Sequence, residues 1–106
     1  MAEFVVAGEW QAIQTNGFTT TFTLNPSKPD GSFIGRGSHS GDSVTGLGFG
    51  SLHNDQFVFQ IQWGNGTEGF YGGTFDSNGR IIGVTFDVAH PDSRAGWESS
   101  RLFVRG

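Results

Sequence analysis

The side chains able to do chemistry are few. His39, His53 and His90 fall in three separate segments, without the short spacing that puts two imidazoles on one metal ion. There is no cysteine, which excludes a thiolate nucleophile, a disulfide framework and a cysteine-based zinc site. Glu68, Asp87, Asp92 and Arg94 could act as acid, base or anchor by type. No serine, histidine and aspartate set or carboxylate pair is identifiable among them from sequence without geometry. "GLGFG" at 46–50 has the glycines of a phosphate loop, but it sits in alternating sequence with no helix to follow. "DSNG" at 76–79 carries part of a calcium loop and lacks the remaining ligands, so it reads as a hairpin turn. "NGT" at 65–67 is an acceptor for N-glycosylation in a compartment that supports it, and its glycine also suits a turn. No catalytic residue, metal site or cofactor is expected, and the chain reads as a binding protein rather than an enzyme.

What remains is binding through aromatic surface. Eleven phenylalanines, three tryptophans and one tyrosine stand beside eighteen glycines. Glycine alone is about two to three times its usual share of roughly 7%. "FVFQIQW" at 57–63 alternates strictly, placing Phe57, Phe59, Ile61 and Trp63 on one face of a strand. The same alternation recurs along the chain, with no helical apolar period of useful length. It predicts strands over 4–14, 17–25, 32–40, 43–52, 56–63, 67–75, 80–89 and 97–104. The segments between them, "TNG", "NPSKPDG", "SGD", "HND", "GNG", "DSNG" and "HPDSRAG", are rich in turn formers. Most are too short for a parallel crossover, so neighbours should pair as antiparallel hairpins. The expectation is an all-β, eight-stranded antiparallel up-and-down β-barrel occupying residues 1–106 as a single domain, with side chains or one small ligand inside.

Parity assigns the faces. The second strand should point Phe18, Thr20, Phe22 and Leu24 inward, and the third Phe33, Gly35, Gly37 and His39, which keeps Arg36 out of the core. In the seventh, the apolar set Ile82, Val84, Phe86 and Val88 is expected inside. Either face of the fourth strand could hold Gly46, Gly48 and Gly50, and in the sixth Phe70 and Tyr71 compete for the interior.

A formal net charge of −4 argues against nucleic acid and anionic membrane as partners. No run of 18 apolar residues occurs, and "MAEFVVAGEW" has no basic start, so the chain as given is expected to be soluble and without a signal peptide or transmembrane segment.

The order of several pieces resembles the avidin and streptavidin family of biotin-binding barrels. These are "GEW" at 8–10, "DGSFIGRG" at 30–37, "FVFQIQW" at 57–63, "GFYGGTFDSNGRIIGVTFD" at 69–87 and "GWES" at 96–99. The resemblance implies a pocket at one barrel mouth. Trp63 matches a tryptophan that packs against the biotin rings, Trp97 one presented to a neighbouring subunit, and Phe70 and Phe86 stand at aromatic wall positions. It also implies a homo-oligomer, dimer or tetramer. The polar half departs from the family: Gly37 stands in place of a tyrosine, His39 in place of a serine, and the aspartate of the final strand falls near Arg105.

The ligand-binding residues expected are therefore Trp63, Phe70, Phe86, Trp97, Gly37, His39 and Trp10, with Gly35 and Gly37 leaving space opposite the aromatics. The partner would be a small apolar or flat organic ligand, or a sugar, and tight biotin binding is not expected. The alternative is a lectin-like or protein-interaction module using exposed aromatics of the outer face, with Tyr71, Phe75, Leu47 and Phe49 as anchors.

Overall fold

Eight strands close into an antiparallel barrel in which each strand pairs with its neighbours in sequence and β8 returns to β1. The computed structural model describes residues 3–39 and 44–106. The expected "SGD" turn and the adjoining strand ends lie outside the described residues. The strands are β1 Gly8–Gln14, β2 Thr19–Leu24, β3 Ser32–His39, β4 Thr45–His53, β5 Gln56–Trp63, β6 Glu68–Phe75, β7 Ile81–Asp87 and β8 His90–Ser99. Among the described residues, no helix is long and apolar enough to cross a membrane.

Hairpin chemistry sets the registers. Asn54 and Asp55 both take positive φ, 51° and 64°, giving the two-residue turn whose twist matches that of the strands it joins. At the turn from β5 to β6, Trp63 N–H donates to Thr67 O (2.8 Å), Gly66 N–H donates to Trp63 O (3.0 Å), and Gly66 sits at φ +91°. Thr67 N–H and Oγ1 both bond Asn65 Oδ1, which stiffens this loop.

The last strand corrects the sequence expectation. β8 begins at His90 and takes in the "HPDSRAG" segment, with a register shift at Phe86/Asp87, whereas 100–106 is not part of a strand. That tail covers one end of the barrel instead. Phe103 is buried there, and Arg105 bridges to Phe4. Phe4 stacks on Phe75 at 4.0 Å, so both chain ends meet at this closed end.

The core is aromatic. Trp10, Phe22, Phe33, Phe57 and Phe59 are almost completely buried and meet edge-to-face or stacked. Burying each such side chain contributes roughly 1.5–3 kcal/mol. Glycines line the wall they press against. Gly46, Gly48 and Gly50 of β4 face inward and leave Leu47 and Phe49 outside.

β7 is reversed relative to its expected parity. Ile81 and Thr85 point inward, while Ile82 and Val84 are exposed and Phe86 lies on the outer wall. The reason is that Gly83 sits opposite Gly73 and Trp97, where the Trp97 ring takes the interior space. Thr85, opposite Tyr71, finds a polar partner inside. Tyr71 itself is buried and Phe70 faces out, which settles the contest in β6.

Candidate functional site

Among the described residues, the end of the barrel opposite the chain termini is open. A cavity of about 330 Å³ enters there, lined by Gln14, Phe18, His39, Trp63, Gly69, Tyr71, Thr85, Asp87 and Arg94 among others. Its wall comes from strand ends and its floor from mid-strand residues. His39 lies between Phe18 and Trp63, with ring centroids 4.8 Å and 5.7 Å away. These three rings form an aromatic side to the mouth.

The floor is polar inside an otherwise apolar barrel. Gln14 Nε2 donates to Thr20 Oγ1 (2.8 Å) and to the Tyr71 hydroxyl (3.0 Å), and those two oxygens are 2.8 Å apart. All three residues are buried, as is Thr85 beside them. Burial raises the Tyr71 phenol above its ordinary pKa of 10.0, and hydrogen bonding to Thr20, Thr85 and Gln14 only partly offsets this. The phenol is neutral at physiological pH and acts as a hydrogen-bonding group.

Of the seven residues expected to bind ligand, the structure brings Trp63 and His39 together on this cavity, with Phe86 at its rim, and Gly37 does not line it. It separates the others. Trp10 and Trp97 are 1% and 2% exposed, stacked 6.3 Å apart in the core. Each holds its indole N–H on a carbonyl, Trp10 on Val6 O (2.9 Å) and Trp97 on Val84 O (3.0 Å). Neither ring lines the mouth cavity. Phe70 and Phe86 stack on the outside of the barrel at 4.9 Å, because their strands turn those positions outward. Phe86 touches the rim of the cavity only, with the Arg94 guanidinium 5.4 Å above its ring.

Gly37 does not leave open space either. A Cβ there would stand 2.6 Å from Ile61 Cδ1 and 3.5 Å from Phe22, so large side chains of β5 and β2 fill the gap. The same holds at Gly35, where Leu24 Cδ2 would be 2.6 Å away.

Trp63 differs from the other two tryptophans. It is half-buried, and its indole N–H has no acceptor among the described residues. The ring lies over Gly69, whose lack of a side chain makes room for it. The sequence reading did not single out the floor residues Gln14, Thr20, Tyr71 and Thr85 as a site. Parity did place Thr20 inward, and Gln14 shares the face of Trp10 and Ala12.

No protein-family model and no curated protein matches this chain. Two solved structures share its fold. A redesigned beta barrel, mFAP1, bound to DFHBI is similar over 89% of this chain and 92% of its own, with a TM-score of 0.62 and 17% identity. EF1p2_mFAP2b bound to DFHBI is similar over 95% of this chain and 94% of its own, with a TM-score of 0.58 and 17% identity. At that identity the likeness shows the fold, a closed barrel that two other proteins use with a small molecule bound.

A second, larger hollow of about 650 Å³ lies on the outer wall, lined by Thr21, Thr23, Arg36, Leu47 and Gln62 among others. Most of its lining is outward-facing strand side chains, and Trp63 edges both hollows. Beside it Ile34, Phe49 and Leu47 are 57%, 62% and 69% exposed, with Ile34 and Phe49 directly paired across β3 and β4.

Proposed function

We propose that this chain is a non-catalytic binding protein whose open mouth takes a small, flat organic ligand against Trp63, His39 and Phe18. The observation that carries the reading is Trp63: an indole at the rim of a cavity of ligand size, its N–H without an acceptor among the described residues, while both core indoles are hydrogen-bonded. The two structural neighbours with DFHBI bound support the barrel as a ligand carrier. So does the avidin-like order of motifs, in a chain that stands as a single domain of that type. Biotin is not the expected ligand, because Gly37 and His39 replace the tyrosine and serine of the resembled pocket and Ile61 fills the space above Gly37.

A thermal-shift screen of flat aromatics, sugars and biotin analogues tests this, since a ligand of the folded state raises the midpoint. A rise with flat aromatics is expected, and no rise with any compound contradicts the reading. Saturation by submicromolar biotin, followed through tryptophan emission, contradicts the exclusion of biotin.

A second reading is favoured by the exposed apolar group Ile34, Leu47 and Phe49. This outer face would pair with a second copy of the chain or with a sugar surface. Tyr71 and Phe75, the anchors expected from sequence, are not available for it, since Tyr71 is buried and Phe75 stacks on Phe4. Sedimentation of the natural chain beside Leu47→Lys distinguishes these. A dimer or tetramer that dissociates in the variant supports self-pairing, and a monomer at all concentrations contradicts it.

A further inference from the structure

We infer that the mouth cavity selects ligands carrying an O–H or N–H group at the end that enters the barrel. The inference rests on the mouth as the ligand site and concerns what its floor demands.

Gln14, Thr20 and Tyr71 form a closed triangle of short contacts, 2.8, 3.0 and 2.8 Å. Three hydrogen bonds need three protons. The two hydroxyls carry one each, and a carboxamide carries two on nitrogen and none on oxygen. With the Gln14 nitrogen toward the hydroxyls, it supplies two protons and one hydroxyl supplies the third. With the amide reversed, only two hydroxyl protons would serve three contacts, and two oxygens would face one another without a proton. Proton counting therefore fixes the orientation of the amide.

The consequence is that Gln14 Oε1 points away from the triangle. It accepts no hydrogen bond among the described residues, and Gln14, 8% exposed, lines the cavity. The Tyr71 and Thr85 hydroxyls that line the cavity can turn to donate or accept. This oxygen can only accept. A ligand tip that ends in an ether, a methyl or a tertiary amine would strip it of water and give nothing back, whereas an O–H or N–H would complete it. Loss of a donor is expected to be more damaging here than loss of a few apolar atoms.

Isothermal titration calorimetry with two matched pairs tests this: naphthol against its methyl ether, and indole against N-methylindole. In the natural chain the donor-bearing member of each pair is expected to bind about tenfold tighter or more. In Gln14→Met, which keeps an unbranched chain of similar length and removes the acceptor, both members are expected to bind alike. Equal binding within both pairs by the natural chain overturns the inference and leaves the mouth as the ligand site. Binding by none of the four compounds overturns that reading and this inference together. Should Gln14→Met fail to fold, the matched pairs on the natural chain decide the point alone.

Discussion

The indole of Trp63 lies across the backbone of Gly69 on the neighbouring strand, so closely that a Cβ at Gly69 would stand 3.0 Å from Trp63 Nε1 and 3.3 Å from Ile61 Cγ2. Glycine at this place lets β6 support the ring from beneath. The half-buried indole can move where the backbone cannot. Gly69→Ala is therefore expected to push Trp63 outward, costing about 1–2 kcal/mol of stability by crowding and weakening any ligand that stacks on the ring. Denaturant unfolding together with the tryptophan emission maximum checks this. An unchanged emission spectrum would show that the ring does not rest on Gly69.

Tyr71→Phe removes the hydroxyl at the centre of the buried floor. One Gln14 N–H and the Thr20 and Thr85 hydroxyls each lose a partner at the floor of the cavity. The expected loss is about 1–3 kcal/mol, read as a lower urea midpoint with an unchanged slope. Thr20→Val should cost a similar amount by the same route. The two together should cost less than their sum, because they share one hydrogen bond.

The same phenol gives the protein an alkaline limit. Its pKa in the folded state is above the ordinary 10.0, so the folded state holds the proton more firmly than the unfolded state does. The resulting stabilisation is complete below pH 10 and is lost as pH rises from there toward the folded value. Stability of the natural chain should fall above about pH 10, and Tyr71→Phe should flatten that part of the curve. Parallel curves for the two proteins would contradict this assignment.

At the closed end, Arg105 reaches Asp55 with two bonds of 3.0 and 2.8 Å and lies 4.2 Å over the Phe4 ring. Hydrogen bonding to Arg105 holds the Asp55 carboxyl below its ordinary 3.8, so the contribution of the pair is complete above that pH and is lost as pH falls from there through the lower folded value. The pair is exposed, and its effect should be local. Arg105→Ala is expected to speed hydrogen exchange at the Val5 and Gly106 amides, which bond Val104 O and Glu3 O, with little change in melting midpoint. A large drop in midpoint would mean that the tail supports the whole barrel.

The barrel was legible because its strongest signals are local. Alternation in β5, the turn residues, and the need to keep Arg36 outside fixed strand order and the faces of β2, β3 and β5. β7 failed where local pattern and packing disagree. Its even positions are the more apolar, yet Trp97 from the next strand takes the interior beside Gly83, so Thr85 goes in and Ile82 and Val84 go out. That reversal also concealed the floor of the site, since Thr85 and Tyr71 become partners only once both strands are set. Trp63 was legible as an inward residue at a strand end. Trp10 and Trp97 looked equivalent to it by type, and what separates them is the Val6 and Val84 carbonyls that hold their indoles. Those carbonyls have no mark in the sequence.

The most direct measurement follows the three indole N–H signals by nuclear magnetic resonance while naphthol is titrated into the protein. The Trp63 signal should move in a saturable way, because its N–H lies at the cavity rim and has no acceptor among the described residues. The signals of Trp10 and Trp97, held by carbonyls in the core, should stay in place. Movement of a core indole with Trp63 unaffected, or no movement at saturating ligand, would contradict a ligand site at this mouth.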